Sequence, residues 1–264
     1  EQALQGSRGD SGHRDLLTGE LRVIPLRGIP ELDEGDDLAA LLVDAAVRSG
    51  GFEQNDVVIV AQKAVSKVEG RVVDLAEIEP SPEALELAAD QDPRRTEVIL
   101  RESREILRTR APLVIAETPH GFVCASAGVD ASNAKGPDTL VLLPLDPDAS
   151  ARRLRDRIRE TAGVDLGVII SDSFGRAWRR GTTDVALGVS GTAAILDLTG
   201  ERDSVGYTLH ATEIAVADEI AGAAQLVMGK TDGIPAAIVR GLSPAAGDGR
   251  GSELVMPRER DLFR

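Results

Sequence analysis

Apolar residues run through this chain in two rhythms. Short, β-branched bursts at "LRVIPL" (21–26), "DVVIVAQK" (56–63), "LGVIIS" (166–171), "DVALGVSG" (184–191) and "AAIVRG" (236–241) predict strands buried on both faces. Longer stretches with helical spacing separate them. Asp36 or Asp37 caps a helix through about Arg48, stopped by Gly50 and Gly51. Ser81, with Pro82 at the first helical position, opens another through about Asp90, and "RRTEVILRESREIL" (94–107) predicts a third. Asp148 or Ser150 starts the helix "ARRLRDRIRETAG", which ends at Gly163, and "ATEIAVADEIAGAAQLVMG" predicts an Ala-rich helix closed by Gly229. "LVIAETPHGFVCA" is a hairpin signal, with Pro119, His120 and Gly121 between two apolar runs, and "SKVEGRVVDL" reads as an extended piece turning at Gly70.

Composition narrows the class. The chain has 264 residues, enough for one large domain or two modest ones, and is 42% hydrophobic but only 2% aromatic. Its core must be built from Val, Ile, Leu and Ala, which suits a mixed α/β protein. With 30 basic and 44 acidic residues the net charge is −14, which argues against a nucleic-acid scaffold. A single cysteine, Cys124 within "GFVCASAG", excludes an internal disulfide and a Cys-based zinc site. It reads as a small buried hydrophobe in a chain from a reducing compartment. No run approaches the roughly 18–20 apolar residues of a membrane span. Residues 1–20 read as a disordered arm, 21–242 as the folded domain, and the Gly/Pro-rich, then charged stretch 243–264 as linker-like.

Two segments share one plan, in which an apolar strand runs into Gly or Ser and then an aspartate: "FVCASAGVDASNAKG" and "GVIISDSFGR". Ligands of α/β sheets bind outside the carboxyl ends of strands, so Asp130 and Asp172 are expected to meet there, although each alone also reads as a turn residue. Hard carboxylate oxygens at such a point suit Mg2+ or Mn2+. Arg176, Arg179 and Arg180 follow Asp172 closely and would add fixed cations for a polyanion. Trp178 between them reads either as a hydrophobic plug or as a stacking platform. Only four of the 30 basic residues are lysines, Lys63, Lys67, Lys135 and Lys230, so a retained lysine marks a need for a compact point charge or is a chance survivor. "AQLVMGKTDG" fails as a P-loop because Ala224 stands where Gly is needed and a helix precedes it, yet the turn "MGKTDGIP" suits a nucleotide. There is no GxGxxG, no GxSxG and no His cluster, and His120 reads as a turn residue.

The segments "GIPELDEGDDL", "SKVEGR", "AGVDASNA", "SDSFGRAWRRG", "VADEIA" and "MGKTDGIPAAIVRGL" together resemble the coenzyme F420 γ-glutamyl ligases over about residues 21–242. The tail "ELVMPRERDLF" resembles the junction, in actinobacterial bifunctional members, to a nitroreductase-like domain. The resemblance implies an α/β fold of mixed sheets flanked by helices, assembled as an intertwined homodimer in the cytoplasm. It implies a GTP-dependent ligase that adds L-glutamate to F420-0 with Mg2+ or Mn2+, and K+ as a further ion. Asp130 and Asp172 then correspond to metal ligands and Ser173 to a ligand of a second ion. Nucleotide contacts fall on Ile29, Pro30, Glu31, Leu32, Gln62, Lys67, Asn133 and the turn Met228, Gly229, Lys230, Thr231, Asp232, Gly233, Ile234 and Pro235. Arg176 takes a catalytic role, with Arg179 and Arg180 on the substrate's anions. Lys230 departs from the family pattern, standing where an acidic or amide residue helps the second metal, and would repel that ion or replace it by holding a phosphate. The implied chemistry is an acyl phosphate route. A metal-dependent phosphohydrolase and a non-catalytic GTP-binding module are the competing expectations.

Overall fold

The computed structural model describes residues 17–242 and 247–263. Residues 1–16 of the expected arm, together with 243–246 and 264 of the tail, lie outside the described residues. In chain order the elements are β1 (Leu17–Pro25), α1 (Leu38–Arg48), β2 (Val57–Ala61), α2 (Gln62–Val68), β3 (Val72–Asp74), α3 (Pro82–Ala88) and α4 (Pro93–Arg101). There follow β4 (Glu105–Arg110), β5 (Leu113–Glu117), β6 (Val123–Ala125), β7 (Thr139–Val141), α5 (Pro147–Ala162), β8 (Gly167–Arg176) and β9 (Arg179–Ser190). The last are β10 (Leu196–Asp197), β11 (Glu213–Ile214), α6 (Val216–Met228) and β12 (Ala236–Leu242).

The main sheet has the order β1-β12-β2-β8-β9. Only β2 and β8 are parallel within it. The short apolar bursts form this sheet because both of its faces are covered. Val58, Val60, Val168, Ile170 and Ile238 pack against α1, α2 and α5, whereas Val57, Ile59, Ile169, Ala237 and Val239 pack against α6. Such double burial explains why "VVIV" shows no polar alternation. Gly188 lets β9 lie against α5, since a Cβ there would sit 2.2 Å from the Pro147 carbonyl oxygen.

A second, smaller lobe holds the antiparallel sheet β4-β5-β6 and the β3–β7 pair around Leu75, Val98, Ile99, Val114, Ala116, Leu140 and Leu142. Phe122, Leu143 and Leu187 join it to the main sheet. Cys124 is buried here, and that burial pushes its thiol up to about 12, so it is an inert apolar group as expected. His120 sits in the β5–β6 turn, its Nε2 3.0 Å from the Pro144 carbonyl oxygen, a structural tie and not a catalytic one.

Four expectations shift. "SKVEGRVVDL" is not extended throughout, because Gln62–Val68 coils directly off the end of β2 and only Val72–Asp74 is strand. "RRTEVILRESREIL" is helical only through Arg101, and the chain re-enters as β4 at Glu105. The helix expected at 211–229 starts at Val216, after a two-residue strand. Helix α5 is capped by Asp146, which accepts from the Ala149 amide, and Asp148 does a different task. Its Oδ1 accepts from the amides of Val189 at 2.9 Å and Gly251 at 2.7 Å, fastening the tail to β9. Asp248 adds to this attachment by accepting from the Gly191 amide at 2.7 Å.

Candidate functional site

The parallel pair builds the site. Ala61, the last residue of β2, and Ser171, midway along β8, are register partners. The next residues on each strand, Gln62 and Lys63 on one and Asp172 and Ser173 on the other, open into a cleft of about 270 Å3. That is near the lower end of small-molecule sites, roughly 300–1,000 Å3. Its further walls are the loop after β1 (Ile29, Pro30, Glu31, Leu32) and the turn between α6 and β12 (Met228, Gly229, Lys230, Gly233, Ile234, Pro235), with Lys67 and Asn133. Thr231 and Asp232 of that turn are exposed and outside the lining.

The apolar wall formed by Ile29, Leu32, Met228 and Ile234 lies opposite a strongly polar floor. Gln62 is 1% exposed, its Oε1 accepts a 2.8 Å bond from Ser66 Oγ, and its Nε2 has no partner. An orphaned buried donor costs about 1–3 kcal/mol unless a ligand acceptor satisfies it. Lys67 is buried and donates to Glu31. Gly229 ends α6 at φ +60, ψ −167, a conformation closed to other residues, and a Cβ there would lie 2.3 Å from Asp232 Oδ2.

Asp172 turns part of its side chain to the cleft while its carboxyl is packed round by protein. Burial is the chief cause that raises its pKa to about 6, and the Asp184 carboxylate adds to it. The ammonium groups of Lys63 and Lys230 and the Ser173 amide pull the other way. Asp130 lies beside the cleft on the far side of Lys63, whose Nζ is 2.8 Å from Asp130 Oδ2. Burial raises the Asp130 pKa, but Lys63 and the Ser132 amide and hydroxyl outweigh it, so the net shift is downward. Lys63 therefore pairs with Asp130 and lines the same cleft as Asp172.

The structure does not gather the arginines there. Arg176, Arg179 and Arg180 sit at the exposed tip of the β8–β9 hairpin, outside the cleft lining. Arg176 is four residues beyond Asp172, about 13 Å along a strand. Trp178 shares the tip at φ +57, is 83% exposed, and meets the Phe263 ring at 4.7 Å. The tip lies apart from the cleft because both strands run on, past the core, into solvent.

A family model described as F420-0:Gamma-glutamyl ligase matches residues 28–241. The chain belongs to this family. Among its relatives, the Coenzyme F420:L-glutamate ligase of Methanothermobacter thermautotrophicus is 45% identical over 252 residues, 92% of this chain and 99% of that one. The protein of the same name from Methanocaldococcus jannaschii is 46% identical over 217 residues, covering 81% and 86%. That of Methanopyrus kandleri is 45% identical over 251 residues, covering 92% and 98%.

In this F420-0:γ-glutamyl ligase family member, sequence reasoning missed part of the floor. Asp184, read only as a strand start, is Ser173's partner across β8 and β9. It accepts from Ser173 Oγ at 2.5 Å and Ser171 Oγ at 3.1 Å, while Gln225 Nε2 donates to Ser173 Oγ at 3.3 Å. The available signal was a carboxylate opening the apolar run "VALGV". Lys63 was noticed as a rare lysine but given no role. Among the described residues no group of three or more His, Cys, Asp and Glu is placed to hold a metal. The donor set is two carboxylates with a cation already between them, plus hydroxyls. Such a set fits an oxygen-seeking Mg2+ or Mn2+ that keeps waters and takes its remaining ligands from phosphates. Among the described residues no helix is long and apolar enough to cross a membrane.

Proposed function

We propose that this chain is a GTP-dependent coenzyme F420-0:L-glutamate ligase of coenzyme F420 biosynthesis, acting in the cytoplasm as a homodimer. The observation that carries the reading is an apolar-walled cleft that opens past Ala61 of β2 and Ser171 of β8, lined by Asp172 and by Lys63, which pairs with Asp130, in a chain of this family. Ile29, Leu32, Met228 and Ile234 take the base, Gln62 Nε2 donates to a nucleotide acceptor, and Lys67 and Lys230 face the phosphates. Asp130 and Asp172 would hold Mg2+ or Mn2+, with Ser173 toward a second ion. When bound, the metal supplies charge neutralisation for phosphoryl transfer.

A carboxylate oxygen of F420-0 attacks the γ-phosphorus of GTP, and GDP departs with the electron pair of the broken P–O bond. The amine of glutamate then attacks the acyl carbon and loses a proton, while phosphate leaves with the C–O pair. Both steps gather negative charge, so the side chains contribute mainly position and electrostatic stabilisation. From the second glutamate onward the bond forms on the γ-carboxyl. Arg176, Arg179 and Arg180, remote from Asp172 in one chain, are assigned to the anionic groups of F420-0 and glutamate through the second protomer.

The test is mass spectrometry of the product from F420-0, GTP, glutamate and Mn2+, beside phosphate release. A glutamylated product, with phosphate freed only when both acceptors are present, supports the ligase. Phosphate release without acceptors would identify a phosphohydrolase, and tight GTP binding without turnover a binding module.

A further inference from the structure

Lys63 is unusual in its surroundings. It is one of four lysines among 30 basic residues, its side chain is only 14% exposed, and it lines the same cleft as Asp172 while bonding Asp130. Asp130 comes from the smaller lobe's edge, where its backbone bridges Val141, and Asp172 comes from β8 of the main sheet. Lys63 thus pairs with the smaller lobe's carboxylate while lining the cleft onto which the main sheet's Asp172 faces. Asp184 on β9 and Lys230 on the turn after α6 line the same cleft.

Lys63 is 14% and Asp130 38% exposed, so the pair is only partly enclosed, and withdrawing the ammonium leaves the carboxylate in want of another cation as replacement. A divalent cation is such a replacement. Lysine suits an exchangeable role better than arginine, since its charge is a point on a flexible four-carbon stem and not a planar fork held at two points.

We propose that Lys63 is the resident counter-ion of Asp130 and Asp172, occupying the divalent-cation position until Mg2+ or Mn2+ displaces it and turns its ammonium toward a nucleotide phosphate. The inference rests on the metal-dependent reading above. It gives Lys63 two opposed effects: the free side chain competes with the metal, and the displaced one assists phosphoryl transfer. A simple structural brace has only one effect, support of both.

The experiment titrates nucleotide-free protein with Mn2+ and follows the loss of the free-ion paramagnetic resonance signal, using wild type, Lys63→Met and Lys63→Arg. The expected result is that Lys63→Met binds Mn2+ about tenfold more tightly than wild type, Lys63→Arg no more tightly, and glutamate ligation by Lys63→Met falls about a hundredfold. Equal or weaker Mn2+ binding by a folded Lys63→Met overturns the proposal. A second readout needs no variant: Mg2+ should raise the acetylation of Lys63 in wild type, quantified by peptide mass spectrometry against Lys135. Unchanged labelling at saturating Mg2+ overturns it as well. Wild type that binds no Mn2+ at any concentration even with GTP present instead sinks the metal-dependent reading, and this inference with it.

Discussion

The two halves of β8 share a strand but not a physical environment. The first half, through Asp172, lies between helices with the cleft at its end, whereas the second runs out to a solvent-exposed tip carrying Arg176, Trp178, Arg179 and Arg180. On sequence alone the tip looks like the chemical centre, since it holds three cations and the sole tryptophan. In the fold the Asp172 carboxyl is packed round by protein while the three guanidiniums are solvated, and solvent screens exposed charge whereas enclosure magnifies it.

Substitutions can break that contrast. Asp172→Ala should reduce glutamate ligation by about a thousandfold, or ~4 kcal/mol of barrier, while the protein still folds, checked by turnover and the unfolding transition. Turnover within tenfold of wild type would remove Asp172 from the centre.

The second effect is on stability. The Asp172 carboxyl titrates at about 6 in the fold against a reference of 3.8, so burial favours the protonated form. Its stabilising contribution is complete below about pH 4 and is lost as pH rises through 6. In metal-free protein, Asp172→Asn should therefore unfold later than wild type at pH 7.5, by on the order of 1–3 kcal/mol, with the gap closing toward pH 4. Thermal melts in chelator across that range check it.

Gly229→Ala forces an L side chain into φ +60, ψ −167 and should destabilise by about 1–3 kcal/mol, read from the denaturant midpoint. Gln62→Leu should raise the apparent GTP requirement about tenfold, ~1.4 kcal/mol, with little net change in thermal stability, because it removes an orphaned donor but also takes the acceptor from the buried Ser66 hydroxyl. At the tip, Trp178→Gly should change the unfolding free energy by less than about 0.5 kcal/mol, since the exposed ring loses little and a φ of +57 suits glycine. A large loss there would show the tip to be structurally coupled to the body.

Much of the frame was legible in the sequence. The caps Asp37, Ser81 and Gly163 and the five strands of the main sheet follow from turn chemistry and from runs too short for helices. Helix α2 was not legible, because Val65 and Val68 favour extended backbone locally and only packing on β2 and α1 makes the segment coil. The break at Arg101 was hidden because Ile106 continues the helical spacing while pairing as a strand with Ala116. Within the site, Asp130, Asp172 and the 228–235 turn could be found from strand-end position, as could the loop after β1 from the family motifs. Lys63 and Asp184 could not, since their importance comes from neighbours far away in the chain: Asp130 for Lys63, and Ser171 and Ser173 for Asp184.

Asp148 has a practical consequence. A researcher trimming the protein at the glycine-rich stretch after Leu242, where composition invites a cut, would delete the amide of Gly251 and leave a helix-borne anion with one clamp instead of two. The shortened product would also bare the flank of β9 that residues 248–251 cover. Expression boundaries are better drawn beyond Phe263.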